Sequence, residues 1–375
     1  MKNPITIKNR NIGIDILRGF SILFVILLHL NIRFGYSTTF LKEILPKKLF
    51  SLIFWNGMYG VVIFFTLSGY LITKSVIAKW GAVSQIDVKK FYFFRFARII
   101  PLLFTLIFIL SCFHIFQIDG FVINPKKASL ARSVFAALTF HINWLEIQVG
   151  YLPASWDVLW SISIEEVFYL LFPIICFFIR NKWQLFFLLI FFMCLSPYAR
   201  IYFYEGNELA SKGYFAYFDA ITFGCFIAVI ADQITFQKWL LRIFCLVGLS
   251  LILFIIYFKK IVYDLGLVGL GLNITILSVG VSFLLLWLHN HHKMGKEKDY
   301  LAFRWLKSMG VYSYEIYLTH MFVVIFGVQI YKYLELSSNY LIPYSLLLIL
   351  LSYFLGRIIF NYFSEPLNNW LRRKF

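Results

Sequence analysis

The chain has 375 residues, of which 61% are hydrophobic and only 14% charged, with a formal net charge of +17. Soluble domains are nearer half apolar and a quarter charged, so this composition excludes an ordinary soluble domain. The positive charge does not point to nucleic acid, because Lys and Arg flanking apolar spans set membrane topology.

Many apolar runs reach the roughly 20 residues that cross a bilayer. In chain order they predict ten helical spans, at 12–32, 50–72, 99–117, 159–179, 183–203, 214–231, 239–258, 265–289, 308–330 and 341–363. The expected fold is an all-α polytopic membrane protein whose ten or so transmembrane helices enclose a central cavity. Lys2, Lys8 and Arg10 before the first run superficially resemble a signal peptide. Asp15, Arg18 and His29 interrupt that run and no small-residue cleavage site follows, so a retained first helix is expected. The longest connection is 118–157. Its segment 129–146, with Arg132 and His141, reads as a short interfacial or re-entrant helix. Pro197 and Arg200 interrupt the end of the fifth span.

Ten spans put both termini on one side. If that side is the cytoplasm, the inside segments carry most of the Lys and Arg, which supports cytoplasmic N- and C-termini. Lys42, Lys47 and Lys48 run against the bias. Only a short tail ending in Arg372-Arg373-Lys374 follows the last span, so one transmembrane domain over residues 1–375 and no soluble domain are expected. Cys112, Cys176, Cys194, Cys225 and Cys245 all fall in apolar runs and none pair as CxxC. They read as structural thiols, with neither a zinc site nor a disulfide framework.

Ionisable groups inside spans are costly and therefore mark candidate sites. In "GIDILRGFSILFVILLH" (13–29), Arg18 and His29 are eleven residues apart, so they share a helix face roughly 16 Å apart along the axis. Asp15 lies one turn before Arg18. One reading makes the stripe functional, with His29 as a general base. The other makes Asp15–Arg18 an interfacial anchor and gives His29 a neighbouring helix. In "KKFYFFRFARIIP" (89–101), Arg95 and Arg98 sit at i, i+3 before Pro101, which suits a helix's first turn. That is either an anion site supported by the helix dipole or positive-inside anchoring.

In "WDVLWSISIEEVFYLLFPI" (156–174), Ser161, Glu165 and Tyr169 recur at i, i+4, i+8, with Glu166 beside them. One glutamate would face a cavity and the other a partner arginine, or both would be structural Arg–Glu pairs. In "GVYSYEIYLTHMF" (310–322), Ser313, Tyr317 and His320 share a face and Glu315 points elsewhere. His320 is either a second catalytic imidazole or a structural donor. His114, His141, His289, His291 and His292 lack such companions, and the 289–292 group reads as a solvated cytoplasmic loop.

These motifs resemble, in order along nearly the whole chain, the membrane acyltransferase-3 family, which O-acylates bacterial surface glycans and related molecules. Arg18 through His29 is similar to its Arg-x10-His opening. "FFTLSGYLIT" (64–73) is similar to its Ser-Gly-Phe/Tyr-Leu-Ile signature, and Arg95-x-x-Arg98 with Pro101 to its Arg-x-x-Arg motif. "WSISIEEVFYLLFP" (160–173), "YSYEIYLTH" (312–320) and "SEPL" (364–367) resemble its later motifs. One departure is Thr319-His320-Met321-Phe322, where the family usually has Trp-His with a proline soon after. It leaves the role of His320 open. Some relatives carry an added esterase-like domain, which this chain is expected to lack.

The resemblance implies an integral membrane O-acyltransferase of the bacterial plasma (inner) membrane. Acyl-CoA, most commonly acetyl-CoA, serves as co-substrate rather than as a resident cofactor. Its phosphates would meet Arg95 and Arg98, with Arg18 and Asp15 lining the passage. His29 would deprotonate a hydroxyl on an extracytoplasmic or lipid-linked glycan. Glu165 or Glu166 would orient the base or the acceptor near the outer mouth. Ser68, Ser161, Tyr169, Tyr317 and His320 would support the cavity. No metal and no nucleic acid partner is implied, and the oligomeric state is not specified. A transporter or flippase for an anionic lipid-linked sugar would also need buried arginines and carboxylates, but not His29 aligned with Arg18.

Overall fold

The computed structural model describes residues 10–36, 39–178, 181–202, 212–295 and 297–374, with Lys182 and Leu185 described by backbone alone. Lys2 and Lys8 lie outside the described residues, as do Ile179 and Phe203 at the ends of the fourth and fifth expected spans.

Ten main helices follow one another. They are α1 (Ile12–Phe34), α2 (Gly57–Trp80), α3 (Val88–Ile115), α4 (Leu159–Phe178), α5 (Lys182–Tyr202), α6 (Phe218–Ile230), α7 (Lys238–Tyr257), α8 (Leu272–Lys293), α9 (Ser313–Tyr333) and α10 (Leu341–Ile359). The described residues contain helices and no strand. Eight of their helices are long and apolar enough to cross a membrane, and two shorter apolar ones, Phe186–Tyr202 and Tyr214–Ile230, sit at the fifth and sixth expected spans. The chain is an all-α, multi-pass membrane protein.

Local chemistry sets the helix ends. The Asn11 side chain accepts from the Ile14 amide at 3.0 Å and opens α1. Gly35 closes it in the left-handed conformation, at φ 66°. Asp87 accepts from the Lys90 amide at 3.0 Å and opens α3. The helix thus starts at Val88, eleven residues before the expected start at 99, which corrects the reading of Pro101. That proline is inside α3 rather than in its first turn, and Arg95 and Arg98 sit in the second and third turns. They lie too far from the terminus for the helix dipole to add much to an anion site there.

Other boundaries move for similar reasons. The run expected as 50–72 breaks at Trp55 and Asn56, between a short helix Lys47–Phe54 and α2. The buried Asn56 amide donates to the Leu52 carbonyl at 2.8 Å and turns the chain there. The run expected as 308–330 is a short helix, Arg304–Val311, followed by α9. The eighth begins at Leu272, after turns in which Gly266 and Gly271 have positive φ. α10 continues through a π-helical turn, Phe360–Ser364, into the helix Glu365–Arg373, so the tail is helical. The 129–146 segment is two helices, Leu130–Leu138 and Ile142–Val149.

α1 is the central element, packed against α2, α8, α9 and the Arg304–Val311 helix. The first and last described residues lie at one end of the bundle. Asn11 donates to the Leu288 carbonyl near the end of α8, and Arg372 donates to the Phe94 carbonyl near the start of α3. This is called the arginine end below. The opposite end, to which α1 carries His29, is the histidine end.

Two crossings are too close for any side chain. A Cβ on Gly310 would stand 1.7 Å from the Asp15 carbonyl oxygen, and one on Gly19 2.0 Å from that of Leu306. Likewise a Cβ on Gly69 would meet the Ile221 carbonyl oxygen at 1.9 Å, and one on Gly224 the Thr66 carbonyl oxygen at 1.9 Å. Small residues let backbones touch where no hydrophobic force between helices is available. Gly310→Ala and Gly69→Ala are each expected to cost about 1–3 kcal/mol by overpacking. Gly269→Ala, whose nearest neighbour would be at 3.6 Å, should be silent. Thermal unfolding of the detergent-solubilised protein would show this, and equal midpoints for all three variants would contradict it.

Candidate active site

A line of polar side chains crosses the bundle from the arginine end to the histidine end. At the arginine end, Arg95 Nη2 donates to Glu166 Oε1 at 3.0 Å, and its guanidinium lies 3.7 Å from the Tyr169 ring centroid. Arg98 Nη2 stands 3.1 Å from Glu315 Oε1, between the Tyr314 and Phe360 rings at 5.3 and 5.6 Å. This second contact is an ion pair by distance but lacks hydrogen-bond alignment, and neither Glu315 oxygen accepts a well-aligned bond. The i, i+3 arginines therefore share one side of α3 but are met by carboxylates from two helices, α4 and α9. The Ser68 hydroxyl bonds to the Tyr169 hydroxyl, and Glu165 lies among Ser68, Arg95 and Arg18.

Further along, Arg18 Nε donates to Ser313 Oγ at 3.1 Å. Asp15 does not pair with Arg18, as the anchor reading expected. Arg10 takes it, with contacts of 3.0 and 2.6 Å, because the end of α1 brings the two together. Ser161 and Tyr317 share a hydrogen bond of 2.6 Å, and the Tyr317 hydroxyl donates to the Val158 carbonyl at 3.0 Å.

The line ends at two imidazoles. The His29 and His320 ring centroids are 5.2 Å apart and the rings are tilted by 48°. His320 Nδ1 lies 2.8 Å from the Tyr317 carbonyl and 3.1 Å from that of Ile316. Carbonyls only accept, so Nδ1 carries the proton and Nε2 is left bare. Nε2 is buried and has no partner among the described residues.

The glutamates lie away from the expected outer mouth. Glu166 meets a partner arginine, Arg95, and Glu165 stands by Ser68, Arg95 and Arg18, both on the arginine side of the line. A buried carboxylate is held where a cation can meet it, and those cations are on α3 and α1. The charged groups acting on His29 are Arg33, four residues further along α1, and Lys212.

Sequence reasoning missed a second charged cluster beyond the histidines. Buried Lys212 donates to Glu146 Oε2 at 3.0 Å and to Asp157 Oδ1, and lies 4.5 Å from the Tyr151 ring centroid. Beside it a cleft of about 270 Å³ is lined by Arg33, Asn124, Lys127 and Tyr151. Glu146 and Asp157 were visible as acids close to apolar sequence, but nothing local linked either to residue 212. The histidine group at 289–292 is also corrected. It belongs to α8, which runs on to Lys293, and His289 is buried between the Tyr70 hydroxyl at 2.8 Å and Asp232 Oδ1 at 2.9 Å. The cysteines are free thiols. Among the described residues no three His, Cys, Asp or Glu side chains gather as a metal site.

Paired arginines, buried carboxylates and facing imidazoles thus lie within one helical bundle of a multi-pass membrane protein. A family model described as an acyltransferase domain, Acyl_transf_3, matches residues 11–365, and the chain belongs to this family. It is 26% identical over 353 residues to O-acetyltransferase OatA of Staphylococcus aureus (strain NCTC 8325 / PS 47), covering 84% of this chain and 50% of that one. It is 23% identical over 391 residues to the putative peptidoglycan O-acetyltransferase YrhL of Bacillus subtilis (strain 168), covering 97% of this chain and 56% of that one. Over 168 residues, 43% of this chain and 23% of the relative, it is 30% identical to peptidoglycan O-acetyltransferase OatA of Listeria monocytogenes. The chain thus spans about half the length of the curated relatives that it matches along most of its own length. No solved structure matches it.

Glu146, which lies outside the candidate spans, makes stability depend on pH. Burial, and then the neighbouring Asp157 carboxylate, push Glu146 from 4.5 up to about 9 against the pull of Lys212. The folded state therefore holds a proton that the unfolded chain has lost between those values. Stability is expected to fall as pH rises through that window. Glu146→Gln should flatten the fall in a series of thermal midpoints, and a slope that the substitution leaves intact would assign it elsewhere.

Proposed function

We propose that the chain is an acetyl-CoA-dependent O-acetyltransferase of the bacterial plasma membrane. Its acceptor is a hydroxyl of a cell-envelope glycan, with peptidoglycan favoured by the names of its relatives. The observation that carries this reading is the line from the paired arginines to the His29–His320 pair. A thioester donor with a phosphate-bearing end and a distant reactive end needs an anion site joined to a base by a path through the membrane.

In this reading both termini and the arginine end face the cytoplasm, in keeping with the distribution of Lys and Arg. The donor's phosphates meet Arg95 and Arg98. Arg95 Nε and Arg98 Nη1 are buried donors left without partners after the glutamates are paired, and so are free for phosphate oxygens. Arg18, held by Ser313, lies next on the path and Asp15 braces its start. Glu166 holds Arg95 in place. Glu165, beside Ser68, Arg95 and Arg18, is the second carboxylate of this region, and Ser161, Tyr169 and Tyr317 support it.

The reactive end arrives at His29. The imidazole takes the acceptor's hydroxyl proton, and the oxygen attacks the thioester carbonyl. The C–S bond breaks, and the proton passes from His29 to the departing thiolate. His320, fixed by its two backbone carbonyls, offers its bare Nε2 to steady the second nitrogen of His29.

In membranes supplied with acetyl-CoA and acceptor glycan, His29→Ala is expected to lower the release of free CoA thiol by about 10²–10⁴-fold, without shifting the thermal midpoint. Normal surface acetylation by this variant would remove His29 from the chemistry. Arg95→Gln and Arg98→Gln should raise KM for acetyl-CoA more than KM for acceptor. A donor KM equal to wild type in both would return the arginines to a purely structural role.

A further inference from the structure

At the arginine end, one group of side chains lies outside the path just described. The Glu365–Arg373 helix packs against α3. From it Arg372 Nη2 donates to the Phe94 carbonyl at 3.4 Å, with the guanidinium 5.2 Å from the Phe94 ring centroid. Lys79, at the end of α2, puts its Nζ 3.9 Å from the same centroid. Two cations thus share one ring, and the charges of Arg98 and Arg95 lie close to Arg372. The acid on its own helix does not pair with it, since Glu365 Oε1 accepts from Asn369 at 3.2 Å.

The donors in this group are unfinished. Arg372 Nε is buried without a partner, as are Arg95 Nε and Arg98 Nη1. Buried polar groups are almost always satisfied, so three orphan guanidinium donors in one cluster need an explanation. Glu166 and Glu315 make the ion-pair contacts here, and Glu165 and Glu365 lie near Arg95 and Arg372. None of these carboxylates satisfies the three orphan donors. An anion with several acceptor oxygens would satisfy them.

We propose that Lys79 and Arg372, both set against the Phe94 ring, form a second phosphate-binding layer, outside the Arg95–Arg98 layer, which takes the ribose 3′-phosphate of the acyl-CoA donor. This rests on the donor reading above. The order along the bundle matches the order along the donor. With the thioester at His29, the pyrophosphate comes first on the way out and the ribose phosphate after it. Arg95 and Arg98 lie deeper on α3. Phe94, the exposed Lys79 at the end of α2 and Arg372 in the last turn of its helix lie nearer the mouth. An anionic lipid headgroup offers the same oxygens, so the test must separate the two.

The full chain is reconstituted in phosphatidylcholine vesicles without anionic lipid and assayed, with acceptor glycan present, on acetyl-CoA and on dephospho-acetyl-CoA, which lacks the 3′-phosphate. The wild type is expected to show a KM for the dephospho donor about tenfold above that for acetyl-CoA. Arg372→Gln should raise KM for acetyl-CoA by about tenfold and leave that for the dephospho donor within about twofold, so that the preference disappears. Arg372→Lys should restore part of it. Lys79→Gln, at an exposed position, should weaken the preference in the same direction and guards against a misfolded arginine variant. A preference left intact by both glutamine variants, or equal losses on both donors, would overturn the proposal. An effect that appears only when anionic lipid is added would reassign the layer to headgroups. Wild-type vesicles that release CoA from neither donor would instead overturn the donor reading itself.

Discussion

A guanidinium inside an apolar helix has to be met by a counter-charge, and α3 carries two of them one turn apart. Glu166 reaches Arg95 from α4, and Glu315 reaches Arg98 from α9. Because the two carboxylates come from different helices, α3 is tied to both at once. The rotation of α4 and α9 about their axes is then no longer free. With Glu166 turned to α3, Ser161 on the same helix meets Tyr317. With Glu315 turned to Arg98, the face carrying Ser313 and His320 is presented to Arg18 and His29. The histidine pair thus follows from an ion-pair arrangement several turns away.

Backbone contact supplies the other half of this positioning. Gly310 lets the Arg304–Val311 helix lie directly on the Asp15 carbonyl, and Gly19 repeats the contact from the other side. The chain breaks after that helix and restarts at Ser313, which brings Ser313 to Arg18. A single straight helix over 308–330 would have had to hold both the crossing with α1 and the later face of α9. The break separates the two tasks.

Charged networks away from the line act as staples between helices. Arg200 on α5 bonds to Asp219 on α6 at 2.5 Å and to the Ala216 carbonyl at 2.6 Å, and Thr275 on α8 donates to the other Asp219 oxygen at 2.7 Å. Tyr70, His289 and Asp232 do the same for α2, α8 and the turn after α6. From the sequence Arg200 looked like an interruption and His289 like a solvated loop residue. Both were legible as polar groups near apolar runs. Their partners were not, since each lies on another helix and no local spacing points to it.

The amino-acid sequence by itself determined the class of the molecule, because about twenty apolar residues in a row have few stable places other than a bilayer. It also determined which side chains share a helix face, since 3.6 residues per turn is a local property. Arg18 with His29, Ser161 with Glu165 and Tyr169, and Ser313 with Tyr317 and His320 were all readable in this way. The tertiary structure alone decided what those faces meet. It brought His320 to His29, turned both glutamates toward the arginines rather than the histidines, and carried Arg372 from the far end of the chain to Phe94. Pairing between helices depends on where each chain segment crosses its neighbours, and on which buried charges must find each other there. Neither is encoded in the spacing of residues along a single helix.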